Sequence, residues 1–210
     1  MFFSAAVFNQ ELCSAPWVRS KASKNLMFTG SPGSISRTVC TETSVFIPQS
    51  KSELQSAINT YLDQCPRGDW PDLISEWDVS HITDMSEIFM GWEFFNGDLS
   101  KWDVSRVTDM TRMFYDAQAF NSDLSKWDVS RVVSMNSMFV RAKSFNTDIS
   151  KWDVSSVVGM GGMFFDAESF KQELCGAAWV HCKASKVAMF KGSPGSISRS
   201  VCTPVSTSAS

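Results

Sequence analysis

Four stretches of sequence decide the fold: EWDVSHITDMSEIF at residues 76–89, KWDVSRVTDMTRMF at 101–114, KWDVSRVVSMNSMF at 126–139 and KWDVSSVVGMGGMF at 151–164. Each stretch begins 25 residues after the one before it, and the aromatic and methionine positions keep the same step. A fixed period of this length is typical of repeat proteins. A unit this short cannot bury its own apolar face, so the sequence predicts stacked repeats that share one core of Trp, Val, Met and Phe.

Within one repeat, the apolar spacing changes from a strand pattern to a helix pattern. Leu99, Trp102 and Val104 follow the spacing L-x-x-L-x-L, and residues two apart share one face of a strand. The next apolar residues are spaced i, i+3, i+4 and i+7, which is one face of a helix: Met110, Met113, Phe114 and Ala117. The sequence therefore predicts a strand, a turn and a short helix in each repeat.

The pattern FNxDLSxWDVSxVTDMxxMFxxAxxFN, which recurs over residues 72–174, resembles the BspA-like leucine-rich repeat, also called DUF285 or the mycoplasma-lipoprotein surface repeat. The resemblance implies an α/β, right-handed, leucine-rich-repeat-like solenoid, here of about four 25-residue strand-turn-helix repeats between two caps. It also implies a secreted or surface-attached protein that binds or adheres and has no catalytic site. The fourth copy departs from the pattern, because Gly159, Gly161 and Gly162 weaken the predicted helix and indicate that the stack ends there.

The two ends of the chain are copies of one another. Residues 1–40 match residues 163–202 at 28 of 40 positions, and Met1 corresponds to Met163 inside a repeat. We therefore interpret the apolar start as repeat sequence and not as a signal peptide, and expect further copies of the array, and a signal peptide, outside this sequence. The predicted segments are the tail of an upstream repeat with a cap (1–40), a linker (41–50), an N-terminal cap helix (51–76), the repeats (77–174), a C-terminal cap (175–202) and a disordered tail (203–210).

The duplicated ends each hold two cysteines 27 residues apart, which predicts the disulfides Cys13–Cys40 and Cys175–Cys202. Each would close a loop worth about 3 kcal/mol in the chain-entropy model. Such bonds indicate an oxidising, extracellular or cell-surface location, although six reduced thiols in a cytosolic protein remain the alternative. Cys65 and Cys182 are expected at opposite ends of the stack, about 20 Å apart and beyond the reach of a disulfide.

Two outward rows of charge are the candidate binding strip. Their members come from the predicted strands: Lys101, Asp103, Lys126, Asp128, Lys151 and Asp153. The strip could bind a partner, or the two rows could neutralise one another while the aspartates bond to nearby serines or backbone. The repeat tryptophans are expected in the core, whereas Trp17, Trp70, Trp92 and Trp179 lie outside that position. Trp92 is the best candidate for an exposed aromatic that could stack on a glycan.

Composition disfavours several functions. The chain has only two histidines and no recognisable hydrolase, metalloprotease, phosphate-loop or dinucleotide motif, so we expect no enzyme, no cofactor and no metal site. Residues 76–174 hold nine basic and sixteen acidic side chains, which disfavours nucleic acid. No apolar run approaches the roughly 18 residues of a membrane span.

Residues 175–202 hold four basic and no acidic side chains. This positive charge could dock on an acidic neighbour or glycan, or it could be ordinary solvated surface.

Three functional hypotheses follow from these features. In the first, the repeats form a secreted or cell-surface scaffold that binds another protein. In the second, the chain is a carbohydrate-binding adhesion module that uses exposed aromatics. In the third, it is a structural spacer in a longer array.

Overall fold

A computed structural model describes residues 11–12, 34–35, 45–64 and 72–202, and divides the chain into two compact units, Met1–Ser44 and Val45–Ser210. The first unit contains the strands β1 (Glu11–Leu12) and β2 (Ser34–Ile35). The second contains, in chain order, the helix α1 (Lys51–Gln64), a 3-10 helix (Asp72–Glu76), the strand β3 (Glu173–Leu174), the helix α2 (Ala177–His181) and the strand β4 (Ser196–Ile197).

The duplicated ends have the same strand pairing. In the first unit β1 pairs with β2 in parallel, with Glu11 opposite Ser34. In the second unit β3 pairs with β4 in parallel, with Glu173 opposite Ser196. These residues are the equivalents of one another in the duplication, so the matching sequences form matching pairs of strands.

Successive repeats stack on one another in chain order. Single parallel bridges join each repeat to the next: Asp84 to Asp109, Asp109 to Ser134, Ser134 to Gly159 and Gly159 to Ser185. Around each bridge, every second backbone N–H donates to a carbonyl of the following repeat, as Arg112 does to Asn136 at 3.0 Å and Phe114 to Met138 at 2.9 Å. We call each such repeat a coil, and number the coils one to five from residues 77–101 to residues 177–202.

The helix predicted for each repeat does not form, because residues 77–172, all of which are described, contain consecutive turns and no helix. Alternate N–H groups bond to the next coil and the others bond three residues back, as Met113 does to Met110. Residues such as Arg112 (φ 54°) and Asp116 (φ 60°) also adopt the left-handed conformation, which a right-handed helix excludes. The three glycines of the fourth coil therefore weaken no helix, and Gly162 (φ 63°) occupies a position where positive φ recurs.

The strand predicted in each repeat does not form a paired strand, but its side chains still alternate between buried and exposed positions. Trp102 and Val104 are buried and Asp103 between them is exposed, as the spacing predicts. The segment bends instead of pairing, since Trp102 N–H bonds to the Leu99 carbonyl and Val107 N–H to the Val104 carbonyl. The right-handed, leucine-rich-repeat-like class of this stack stays a prediction.

Two columns of phenylalanine run through the core. The rings of the first column lie 5.4–5.6 Å from one coil to the next and nearly parallel: Phe89, Phe114, Phe139, Phe164 and Phe190. The second column has spacings of 5.8–6.1 Å: Phe95, Phe120, Phe145 and Phe170. Inside a coil the two columns touch, with Phe139 and Phe145 only 3.9 Å apart. Offset-stacked aromatic pairs add stability beyond the area that they bury.

The prediction that the repeat tryptophans lie in the core is confirmed for Trp102, Trp127 and Trp152, which are no more than 4% exposed. Each indole N–H donates to a carbonyl 28 residues earlier, which lies on the preceding coil or, for Trp102, in the 3-10 helix: Trp102 to Ile74, Trp127 to Leu99 and Trp152 to Leu124. Trp77, in the first coil, is half-buried against Phe46. The prediction that Trp179 lies outside this set is wrong, because it is fully buried and donates to Ile149 at 3.0 Å.

An asparagine in each of the first three coils ties neighbouring coils together. The Asn96 side-chain oxygen accepts the N–H of Asn121, and the Asn121 oxygen accepts the N–H of Asn146, both at 2.8 Å. Asn146 in turn accepts the N–H of Lys171 at 2.9 Å. This ladder satisfies backbone donors that the bends of the coil would otherwise leave unpaired.

The helix α1 packs on the first coil at the N-terminal end of the stack, and it ends at Gln64, before the end of the cap helix predicted over 51–76. The Ser50 side chain accepts the N–H of Glu53 at 3.2 Å, which caps the helix, and Leu54, Ile58 and Leu62 are fully buried. On the first coil, Gln55 donates to the Ile88 carbonyl at 3.0 Å.

The stack does not end at the fourth repeat. Through the bridge from Gly159 to Ser185, residues 177–202 continue it as a fifth, irregular coil. The predicted disulfide Cys175–Cys202 is present, beside the N–H of Cys202 that donates to the Cys175 carbonyl. The predicted Cys13–Cys40 bond lies outside the described residues, as do Cys65, Trp17 and Trp70.

Candidate functional site

The exposed aspartates of the predicted strip cap tight turns of their own coils. An oxygen of Asp103 accepts the backbone N–H of Ser105 at 3.0 Å, and Asp128 and Asp153 do the same for the serine two residues on. An aspartate that bonds two residues ahead fixes a local turn. The local bond proposed for these side chains is therefore present, and the recurrence of the aspartate in the first four coils has a structural cause.

The same kind of bond recurs at other aspartates and lowers their pKa values. The backbone N–H of Ser100 and that of Ser125 hold the pKa of Asp98 and of Asp123 below its usual range. At Asp128, hydrogen bonds from Ser130, first from its side chain and then from its backbone, lower the pKa in the same way. Hydrogen bonds to the charged form favour that form, so these carboxylates stay ionised at neutral pH.

The lysine row of the strip is exposed and lies beside the aspartates. Lys101, at the end of the first coil, forms an ion pair with Glu76, the last residue of the 3-10 helix. Between described residues, no ion pair joins Lys126 or Lys151 to the neighbouring aspartates, and the mutual neutralisation of the two rows stays a prediction. Whether this strip binds a partner stays a prediction.

A second surface differs from coil to coil. We call it the variable segment: residues 86–94 of the first coil with their equivalents 111–119, 136–144 and 161–169. One position there, exposed or half-buried, reads Glu87, Arg112, Ser137 and Gly162. Another reads Met90, Tyr115, Val140 and Phe165, and of these only Val140 is buried. These differences contrast with the WDVS positions, which hardly change.

Charged and aromatic side chains of the variable segment contact one another between coils. Arg112 lies 3.2 Å from Glu87, and Arg141 lies 3.0 Å from Asp116. The Arg141 guanidinium also lies over the Tyr115 ring, 5.3 Å from its centre. Contacts of this kind hold long side chains in place on the surface, although exposed pairs add little stability.

The aromatic that sequence reasoning chose for glycan stacking is not the most exposed one. Trp92 is half-buried and packs against the core, whereas Phe94 is 66% exposed. Phe94 occupies a position held by Ala119 and Ser144 in the next coils. This departure from small residues was the signal that could have identified it.

The described residues contain no cluster of His, Cys, Asp and Glu that could hold a metal ion. Cys182, half-buried, is a free thiol near the Val154 carbonyl. Within the same residues, no helix is both long enough and apolar enough to cross a membrane.

The fold and surface define a protein of stacked 25-residue coils, in which the buried residues recur from coil to coil and an outer segment differs between coils. The family model described as "Mycoplasma protein of unknown function, DUF285" matches residues 57–179, more than half of the chain. The chain belongs to this family. No curated protein matches it, and no solved structure matches it.

Proposed function

We propose that the chain is a non-catalytic repeat scaffold, secreted or displayed on a cell surface, that binds another protein through the variable segment. Its stacked coils would form a right-handed solenoid of the BspA-like, leucine-rich-repeat kind. Neither a cofactor nor nucleic acid has a part in this proposal.

The observation that carries the proposal is the contrast between two kinds of outward position. Asp103 and its equivalents recur because each fixes a turn, as their bonds to serine show. The variable segment has no such constraint, yet it presents arginine and aromatic side chains, among them Tyr115 beneath Arg141. Tyrosine and arginine are enriched where proteins bind one another. A scaffold that keeps its interior and changes this segment can acquire a specific partner without refolding.

The disulfide supports the proposed location. Cys175–Cys202 closes the end of the stack, and disulfides persist in oxidising compartments. A secreted or surface-attached scaffold would keep this bond.

The test is a pull-down in which the immobilised chain captures a partner from surface proteins of the source cells, with three matched baits. The first is the wild type, the second carries Tyr115→Val and Arg141→Ser, and the third carries Lys101→Gln, Lys126→Gln and Lys151→Gln. Tyr115→Val borrows the residue of the equivalent position 140, Arg141→Ser removes an exposed charged side chain, and glutamine keeps the length of lysine while removing its charge. The fold should therefore survive, which circular dichroism checks.

We expect the wild type and the lysine-row variant to retain the same protein and the variable-segment variant to lose it. Loss with the lysine-row variant alone would assign binding to the charged strip instead. A glycan array probed in parallel distinguishes the adhesion-module hypothesis, which predicts sugar binding that Phe94→Ala or Trp92→Ala abolishes. A chain that retains nothing in either assay would contradict both binding roles and favour the spacer.

A further inference from the structure

Charge is distributed unevenly along the stack. Residues 45–99, which contain α1 and most of the first coil, hold ten acidic and two basic side chains. Residues 100–174 are nearly balanced, with ten acidic and nine basic side chains, and residues 175–202 hold four basic and no acidic ones. Because the bridges place the coils in chain order, one end of the stack is acidic and the other is basic.

Both ends of the stack present exposed apolar side chains, and so does the third coil. Among the described residues, the strongly exposed ones come from the start and from the third to fifth coils: Val45, Ile47, Met90 and Phe94, then Val133, Val158, Val187 and Val201. The second coil has none. Phe94 at the acidic end and Val187 at the basic end are 66% and 75% exposed. Phe94 and Val187 are therefore the apolar side chains at the two ends that offer the largest exposed fraction to a partner.

The basic end also has an open backbone edge. In the fourth coil the N–H groups of Gly162 and Phe164 donate to the fifth coil. Their equivalents are Ala188 and Phe190 in the fifth coil, the last one described, and the N–H groups of these two residues have no partner among the described residues. A row of open donors is a template for pairing with another chain.

Beside this edge a groove of about 380 Å³ lies between the fourth and fifth coils. Its lining combines apolar and basic side chains: Val158, Ala178, Ala184, His181 and Lys183. The lining of the groove thus combines apolar side chains with the positive charge of Lys183.

From this complementarity we propose that the chain associates head to tail with a second copy of itself, the basic end of one copy docking on the acidic end of the next. Phe94 and Met90, next to Glu93, meet Val187 and the groove, next to Lys183. Opposite charges at the two surfaces steer and orient the encounter, and the apolar side chains leave water. Because the two surfaces differ, the contact is heterologous and each added copy leaves a new end free. The inference goes beyond the proposed function, since it involves the ends and not the variable segment as a whole.

The experiment measures the mass of the full, oxidised chain by sedimentation velocity over a range of concentrations at low ionic strength. We expect the average mass to rise above that of the 23.4 kDa monomer as concentration increases. Raising the ionic strength from about 0.05 M to about 0.5 M should return the chain toward monomer, because salt screens exposed charges.

Two variants block one end each without touching the core. The acidic-end variant carries Met90→Ser and Phe94→Ser, and the basic-end variant carries Val158→Ser and Val187→Ser. All four side chains are exposed, from 44% to 75%, so folding should be preserved. We expect each variant alone to associate at least about tenfold more weakly than the wild type.

Mixing the two variants gives the decisive result. Each supplies the intact end that the other lacks, so the mixture should form a one-to-one dimer and nothing larger. A variant with Arg106→Ser and Arg131→Ser, changed on the middle coils, serves as the control and should associate like the wild type. A wild type that stays monomeric at low salt would overturn the proposal, and so would a mixture that forms no dimer. Loss of association in the control to the same extent would overturn it too.

Discussion

The second to fourth coils and the fifth coil bury similar aromatic side chains but are stabilised in different ways. A regular coil such as residues 102–126 has neighbours on both sides, an aspartate that fixes its outer turn and an asparagine that bonds to the next coil. The fifth coil keeps Trp179 in the core and packs the half-buried Phe190 against it, has Val180 at the aspartate position and is closed by Cys175–Cys202. The interior contacts therefore pass from coil to coil, whereas the fifth coil, which has one neighbouring coil among the described residues, also carries a covalent bond.

The end of the second phenylalanine column shows how the stack is closed. The backbone at Gly195 approaches the Phe170 ring so closely that a Cβ atom would come within 2.4 Å of a ring carbon. Glycine allows the last turn to approach the ring this closely, and the Phe190 ring lies 6.4 Å from the Phe170 ring. The second column thus ends against backbone and not against a further phenylalanine of the same column.

The largest loss of stability should come from truncating a buried phenylalanine that is stacked between two others. Phe139 is fully buried between Phe114 and Phe164, so Phe139→Ala should lower the free energy of unfolding by about 3–5 kcal/mol. Phe190→Ala, in the fifth coil with a neighbour on one side, should cost about 1–2 kcal/mol. Urea unfolding compares the two, and Phe94→Ala, at an exposed site, is the control with a change within about 0.5 kcal/mol. Equal losses at Phe139 and Phe190 would contradict the difference between inner and terminal coils.

Removing the disulfide should separate the terminal coil from the rest. Cys175→Ser with Cys202→Ser should destabilise the chain by about 2–4 kcal/mol, since the bond restricts a loop of 27 residues in the unfolded state. Limited proteolysis should then cleave within residues 177–202 before it cleaves the inner coils. Substituting the free Cys182 by serine is the control, and cleavage that begins in the second or third coil would refute the assignment.

A smaller effect should follow from loss of one outer turn. Asp128→Ala removes the acceptor of the Ser130 N–H and should cost about 0.5–1.5 kcal/mol in thermal or urea unfolding. Lys126→Ala, two residues away on the same exposed strip, should change stability little. If Lys126→Ala lowered the stability as much as Asp128→Ala, then charge on the strip and not the turn would explain why the aspartate recurs.

The smallest expected effect is a loss of stability at low pH. The pKa values of Asp98 and Asp123 are lower in the folded chain than in the unfolded chain, because backbone N–H groups bond to the ionised carboxylates. The unfolded state therefore takes up protons first as pH falls, and the stability that these groups provide is present above about pH 4 and lost below it. The melting temperature should be steady from about pH 7 to 5 and then fall. Asp123→Asn should reduce the steepness of that fall, and a curve identical to the wild type would contradict this cause.

Much of the fold could be predicted because the repeat fixes which residues meet. The 25-residue step placed Trp102, Trp127 and Trp152 in one core, and the paired cysteines of the duplicated ends indicated Cys175–Cys202. The helix was wrong because the spacing i, i+3, i+4 is shared by a helix and by a run of turns whose alternate N–H groups bond to the next coil. Nothing in residues such as Glu87 or Arg112 signals their positive φ, which the neighbouring coil imposes.

The candidate surface was harder to predict than the core. The constant Lys and Asp rows stood out in the sequence because they recur, but the structure explains the recurrence of Asp128 by its turn. Residues that differ between coils, such as Tyr115 and Arg141, carry no periodic signal. Their proximity depends on the stacking of two coils, which places residues 26 positions apart in contact.

Site-resolved amide hydrogen exchange tests the stacking most directly. It should be measured at high dilution and high salt, where single copies dominate. The N–H groups of Arg112 and Phe114 bond to the following coil, so they should exchange only as fast as the whole stack unfolds, while those of Ala188 and Phe190 should exchange rapidly. Rapid exchange at Arg112 and Phe114 would contradict the account, since it would mean that the coils do not share a bonded edge.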